Sequence, residues 1–372
     1  CSPYLAKLPV SGSRTPTLMF WAPMFWALMF WKWAEPAIRR ATRMKNLSLM
    51  VLILALLVCP CHAKELKIGV IFGLTGEAAW WSQAMKRGIE LAAEESPQVK
   101  LIWEDSGTSP ARAVTAFRKL TEQDGVKIII GDVFSFVTEP LIPLAEAKGI
   151  LLVTPSLPES FCRGGEKFFT TASQIPRSRP AFERYFQLKP EVKRISIVNF
   201  GDPGWGQAYR RIWEAIAADR GLEFTADLLS QISVLLEKKP QAVLVAHNPL
   251  TTLKALRHYR YAGDIIFVNQ LMEPFLDSNF DRAVAEGVYV VDTEASPEFN
   301  QKFRRRFGAE PWLEAYTGYE TLRSVVRTEG ASLKGVKYQG VSGEFDFTKS
   351  CAGNKASWWL KQIREGRPER MD

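Results

Sequence analysis

Leu66-Lys-Ile-Gly-Val-Ile-Phe72, followed by Gly73-Leu-Thr-Gly76, is the stretch that sets the fold. The first segment is short, β-branched and largely apolar, and so reads as a strand. The glycines that follow read as a loop. From Ser82 to Glu95 the apolar residues Met85, Ile89, Leu91 and Ala92 fall near one face, which predicts a helix. Outward from there the alternation continues. Val99–Trp103 is a strand, Ala111–Gln123 a helix, Val126–Gly131 a strand, Pro140–Ala147 a helix and Ile150–Thr154 a strand. Strands separated by amphipathic crossovers of this length form parallel βαβ units with helices on both faces. The unalternated runs Ile128-Ile-Ile130 and Ile150-Leu-Leu-Val153 suit strands covered on both sides.

The same order then recurs. Arg194–Phe200 is a strand, Gly201–Gly206 a loop, Gln207–Asp219 a helix and Leu222–Thr225 a strand, mirroring 66–103. Gln241–Ala246 is a strand, Pro249–Tyr261 a helix capped by Gly263, and Ile265–Asn269 a strand, mirroring 126–154. Both first loops place an aromatic just before the helix, Trp81 and Trp205. The expected fold class is α/β, with two Rossmann-like lobes, parallel central sheets and a three-strand hinge. Open parallel sheets bind ligands outside the carboxyl ends of their strands, so two facing lobes make a cleft that can close on a small molecule. The crossings are expected near Thr171–Ser173, Asp292–Glu294 and Gln339–Ser342. The first lobe is then 64–173 with 294–340, where the late segment is assigned by the family resemblance given below, and the second 174–293 with 341–372.

The composition, 47% hydrophobic and 24% charged, is that of a globular chain. The net charge of +8 is concentrated at the front: residues 1–63 hold seven basic residues and one acid, and the remainder is only +2. No basic stripe with interleaved aromatics is left to meet a nucleic acid. Met44-Lys45, the apolar run Leu47–Val58 and Cys61-His-Ala63 form the three parts of an export signal, with cleavage expected after Ala63 and a periplasmic destination. Lipid attachment at Cys59 is disfavoured by Val58 before it. Residues 1–43, with Met-Phe-Trp recurring every five residues from Met19, read as an extension upstream of the true start at Met44, or else as a membrane-interface segment. Cys162 and Cys351 remain beyond the leader. An oxidising compartment allows them to pair, but two cysteines nearly 190 residues apart make no scaffold, and two separate thiols are the expectation.

The ordered series of motifs resembles the periplasmic leucine/isoleucine/valine-binding protein family, a group of type I solute-binding proteins of ABC transporters. Lys67 to Gly76 is similar to its opening strand and loop, Met85 to Glu94 to its first helix, and Gly149-Ile-Leu-Leu-Val-Thr-Pro155 to its fourth strand. Gly204-Trp-Gly206, Ala315-Tyr-Thr-Gly-Tyr319 and Gly343-Glu-Phe-Asp-Phe347 are similar to later landmarks. The resemblance runs from 66 to about 350. It implies a monomeric protein that captures a small ligand by hinge closure and hands it to a permease, and it implies site residues Trp81, Ser135, Ser156, Trp205, Asn248 and Tyr316. The family's acid for an ammonium group has no clear counterpart, although Gln270 and Glu273 lie nearby. Where the family carries a small residue and then a hydroxyl after Thr-Pro, this chain has Leu157 and Pro158, and Pro158 offers neither a hydroxyl nor an N–H. The expected ligand is therefore a small carboxylate-bearing molecule with an apolar or aromatic body, either an amino acid or a plain organic or aromatic acid. Ser135 would receive the carboxylate and Trp81, Trp205 and Tyr316 would wall the body.

Catalysis is not expected. The histidines are His62, His247 and His258 only, and the chain has no Walker loop, HExxH, nucleophile elbow or dinucleotide glycine motif. No cofactor and no metal site is expected. A ligand-sensing module serving a receptor would use the same cleft, and the sequence leaves that alternative open.

Overall fold

The computed structural model describes residues 65–76, 79–156, 158–198, 205–228, 231–246, 249–268 and 281–371. The leader, Asn248, Gln270 and Glu273 lie outside the described residues. In chain order the strands are β1 (Leu66–Phe72), β2 (Val99–Asp105), β3 (Ile128–Ile130), β4 (Leu151–Thr154), β5 (Phe168–Thr170), β6 (Arg194–Val198), β7 (Glu223–Asp227), β8 (Ala242–Val245), β9 (Asp264–Val268), β10 (Tyr289–Asp292), β11 (Lys337–Gly340), β12 (Gly343–Asp346), β13 (Trp359–Arg364) and β14 (Arg367–Arg370). The α-helices are α1 (Ala79–Glu94), α2 (Pro110–Arg118), α3 (Ser135–Thr138), α4 (Leu141–Lys148), α5 (Arg179–Leu188), α6 (Trp205–Arg220), α7 (Ile232–Glu237), α8 (Pro249–His258), α9 (Pro297–Phe307) and α10 (Leu313–Arg327).

The first sheet runs β2-β1-β3-β4-β5, all parallel. The second runs β14-β13-β10-β9-β8-β6-β7, and its parallel part, read from the far edge as β7-β6-β8-β9-β10, repeats the order of the first. The antiparallel hairpin β13–β14 extends it at β10. Successive side chains of a strand point to opposite faces. Accordingly Ile68, Val70 and Phe72 of β1 enter one apolar cluster with α1, α9 and α10. Ile71 enters the other, with Ala113 and Phe117 of α2 and Leu141 and Ala145 of α4. The second sheet is covered in the same two-sided way by the clusters around Trp213 and Leu253.

Local chemistry fixes the helix ends that frame the strands. Ser109 caps α2, accepting the Arg112 N–H, and Pro110 opens the helix where no N–H is needed. The helix expected over 111–123 is α-helical only to Arg118, and its last turn, Lys119–Gln123, widens to a π-helix. α4 ends at Gly149, whose φ of 65° is the left-handed conformation a glycine adopts without steric cost.

α1 and α10 meet through glycines. A Cβ on Gly88 would overlap the Ala315 carbonyl oxygen, and one on Gly318 would overlap the Met85 carbonyl oxygen. This backbone-to-backbone approach sets where the first turns of both helices stand.

Two expectations are corrected. The chain does not leave the first cluster near 339–342: β11 and β12 pair as a hairpin, and Phe345 and Phe347 pack with β1 and α10. Ala352 still bridges Thr170 of β5, and the first residues in the second core are Trp358 and Leu360. Cys162 and Cys351 are also not separate thiols. They form a disulfide across a sequence separation of 189, with Cα atoms 5.5 Å apart, because the return of 350–354 to the β5 edge brings the two loops together.

Candidate functional site

The loops at the carboxyl ends of the first sheet's strands are held by one buried carboxylate. Asp132, directly after β3, accepts the Ser106 hydroxyl at 2.5 Å and the Phe134 N–H at 2.9 Å, and also receives the backbone of Gly73. It thereby ties together the loops that follow β1, β2 and β3. Burial pushes its pKa up to about 6, against the hydrogen bonds that favour the charged form. Ser156 adds a fourth loop. Its hydroxyl donates to the Asp132 carbonyl at 2.8 Å and lies 3.0 Å from the Thr154 hydroxyl.

These loops surround a cavity of about 180 Å³. Trp81 enters from the first turn of α1, Phe134, Ser135 and Phe136 from the start of α3, Pro155 and Ser156 from the end of β4, and Ser173 from the segment after β5. Ile175 and Trp205 close it from the second core, and Leu313, Glu314 and Thr317 from α10. The walls are aromatic and linked. Trp81 stacks on Trp80 with centroids 3.9 Å apart and meets Phe134 edge-on at 5.8 Å, and Phe134 touches Phe136 at 5.9 Å. Trp205 is braced by Tyr209 at 5.3 Å. Rings held in this way present flat apolar faces at little entropic cost to a ligand.

The structure therefore brings Trp81, Ser135, Ser156 and Trp205 to one volume. Among the described residues the Ser135 hydroxyl has no hydrogen-bond partner, so it is available to a guest. The Ser156 hydroxyl is already engaged with its neighbours. Tyr316 is not part of this volume. It is 4% exposed, and its hydroxyl donates to the Thr293 carbonyl at 3.2 Å and sits 2.6 Å from the Thr293 hydroxyl. Its helix turns Leu313, Glu314 and Thr317 toward the cavity instead, on the face offset from Tyr316. Sequence reasoning favoured the aromatic and missed Glu314, Phe134 and Phe136. The helical spacing of 313, 314 and 317 is the signal that separates the two faces.

Glu314 is half-buried, and its pKa is pushed up to about 7, first by burial and then by the nearby Asp292 carboxylate. Asp292 is itself raised by burial and is held by Lys361 at 3.5 Å, and the same lysine reaches Glu294 at 3.1 Å.

Two α/β sheets of like order, with their cores meeting around a cavity at the strand ends, define a type I periplasmic binding fold. The chain belongs to the periplasmic binding protein family, whose model matches residues 65–367. A Leu/Ile/Val-binding protein from Citrobacter freundii is 28% identical over 147 residues, 37% of this chain and 40% of its own length. The chain thus matches about two fifths of the length of such curated relatives. Among solved structures, a leucine-binding protein from Thermotoga maritima MSB8 superposes with a TM-score of 0.71 at 18% identity, covering 82% of this chain and 98% of that one. A solute-binding protein of an ABC transporter from Rhodopseudomonas palustris BisB5, in complex with 3,4-dihydroxybenzoic acid, gives 0.71 at 17% identity, covering 82% and 96%.

Proposed function

We propose that this chain is an exported solute-binding protein that captures a small carboxylate-bearing ligand with an apolar or aromatic body and delivers it to the permease of an ABC transporter. The observation that carries this reading is the cavity at the strand ends, walled by Trp81, Phe134 and Trp205 and drawn from both cores. Ser135 supplies the free hydroxyl for the carboxylate. Family membership supports binding rather than catalysis, and the names of relatives support amino acids or aromatic acids as the ligand class. The export signal at 44–63 supports a periplasmic location, and the protein acts as a monomer in this reading.

Capture proceeds by closure of two lobes about three crossings. The first two crossings are assigned to Thr171–Ser173 and Asp292–Glu294. The third is assigned to Asn354–Trp358, where the Asn354 amide donates to the Thr171 carbonyl at 2.9 Å and Arg177 donates to the Lys355 carbonyl at 3.0 Å. A thermal-shift screen of the exported protein against amino acids, aromatic acids and small organic acids tests the reading. A ligand present at 100 times its dissociation constant adds about 2.7 kcal/mol of stability. If no compound in any class raises the melting temperature, the reading is wrong.

A further inference from the structure

A second cavity, of about 820 Å³, lies beside the second crossing. Arg282, Lys361 and Arg367 line it from the second lobe, and Glu294 and Glu310 from the first. Asp292 ends β10, and Lys361 stands in the adjoining strand β13, between Leu360 and Ile363 of the second lobe's two apolar clusters. The ion pair of Lys361 with Asp292, at 3.5 Å, is therefore internal to that lobe. Glu294 belongs to the other. Thr293 before it is bound by the Tyr316 hydroxyl of α10, and Ala295 after it packs on the first apolar cluster. The Ser296 N–H then donates to the Val341 carbonyl between β11 and β12 at 2.6 Å. Lys361 reaches Glu294 at 3.1 Å, so this ion pair spans the crossing. Of the ion pairs between described residues, it alone joins the two lobes.

We propose that the Lys361–Glu294 ion pair is a latch between the lobes, and that ionic strength, acting on this pair, sets the fraction of the protein in which the lobes stand apart. This rests on the reading of 292–294 as a crossing about which the lobes turn. Rotation there carries Lys361 and Asp292 together and leaves Glu294 with α10. It stretches one ion pair and spares the other, so the buried ammonium is never left without a partner. The surrounding charges act in the same sense. Arg282 and Arg367 add positive charge to the wall that holds Lys361, opposite in sign to Glu294. Glu310 on the first lobe is already held by both of its oxygens to Arg304. The Lys361 side chain is 8% exposed and that of Glu294 39%, so dissolved ions reach the acid and screen the pair. A lobe equilibrium biased by one such contact responds to small changes in it.

The test needs no ligand. Nitroxide labels are placed on the exported protein at the exposed positions Glu139→Cys in the first lobe and Arg211→Cys in the second, and their separation is measured by double electron–electron resonance. Cys162 and Cys351 are joined in a disulfide and take no label. Glu294→Gln removes the charge with little change of shape, and Glu294→Lys reverses it; both leave Lys361 its bond to Asp292. Glu294→Gln is expected to shift the ratio of long to short separations about twofold to fivefold toward the long, the range for a partly exposed ion pair. Glu294→Lys is expected to shift it further. Raising NaCl from about 50 to about 500 mM should reproduce the Glu294→Gln shift in the parent and add nothing in that variant. If the parent shows both separations and their ratio is the same in both variants and in high salt, the latch is overturned while the turning of the lobes stands. A single, unchanged separation in every sample means that the lobes do not turn about 292–294, and removes the capture reading together with this proposal.

Discussion

Gly88→Ala adds one methyl group to the middle of α1, and two effects compete. Replacing an interior helical glycine by alanine ordinarily stabilises by about 0.5–1 kcal/mol through backbone entropy. Here the added Cβ falls on the Ala315 carbonyl oxygen, with the Tyr319 backbone N–H group next to it. Neither is a flexible side chain that can swing away, so α10 must move as a body. Overpacking in a well-packed core costs about 1–3 kcal/mol, and a clash with backbone belongs at the upper end. The net expectation is a loss of about 2 kcal/mol. Urea unfolding followed by tryptophan fluorescence, to which Trp80, Trp81 and Trp103 of the first lobe contribute, reads the loss. With a slope of about 2 kcal/mol per molar urea, its midpoint should drop by about 1 M. Ligand affinity should fall as well, because the displaced helix carries Leu313, Glu314 and Thr317 into the cavity wall. A midpoint that stays put or rises, as helix propensity alone dictates, would refute the glycine contact as the determinant of this packing.

The remaining predictions concern the site and its supports. Ser135→Ala should cost about 1–3 kcal/mol of binding if a carboxylate loses its hydroxyl donor, and Trp205→Ala at least as much; calorimetry on the ligand found by the screen measures both, and parental affinity in the pair would reject the site. Reducing the Cys162–Cys351 disulfide should lower stability by about 2–4 kcal/mol, read as a drop in melting temperature on adding dithiothreitol that a Cys351→Ser variant no longer shows. Asp132 has a folded-state pKa raised to about 6 from an ordinary value of 3.8, so the folded state binds more protons between those limits and stability should decline as pH rises from 4 to 6. Urea midpoints across that range check it, and Asp132→Asn should flatten the decline.

The parallel α/β character was legible because buried strands announce themselves as apolar runs, and Ile128–Ile130 and Leu151–Thr154 both became fully buried strands. The repeat was legible for the same reason, and the identical order of β2-β1-β3-β4-β5 and β7-β6-β8-β9-β10 extends it from local pattern to topology. Other elements were hidden by their own chemistry. β5 is only Phe-Phe-Thr, too short to show a period. β13 reads Trp-Leu-Lys-Gln-Ile-Arg, and its Lys361 looks like a solvent-facing residue until Asp292 and Glu294 are found around it. The disulfide depended on a return of the chain that no local pattern encodes. The convergence of Trp81, Ser135 and Trp205 on one cavity could be read because they stand at the strand-to-helix junctions of the two sheets. Glu314 could not, because an acid in the first turn of a helix is equally what the helix dipole favours on an ordinary surface. Only the neighbouring rings distinguish the two cases.

The first apolar cluster unites β1, at the front of the described chain, with Leu322, Phe345 and Phe347 near its end, and the second sheet is incomplete until β13 is added after residue 358. Each half therefore completes its core only with residues from the second half of the described chain. As the polypeptide emerges from a ribosome, the first helix can cover part of this face early, but the share that packs on Leu322, Phe345 and Phe347 stays open until those residues have been made. Cys162 likewise waits nearly two hundred residues for its mate.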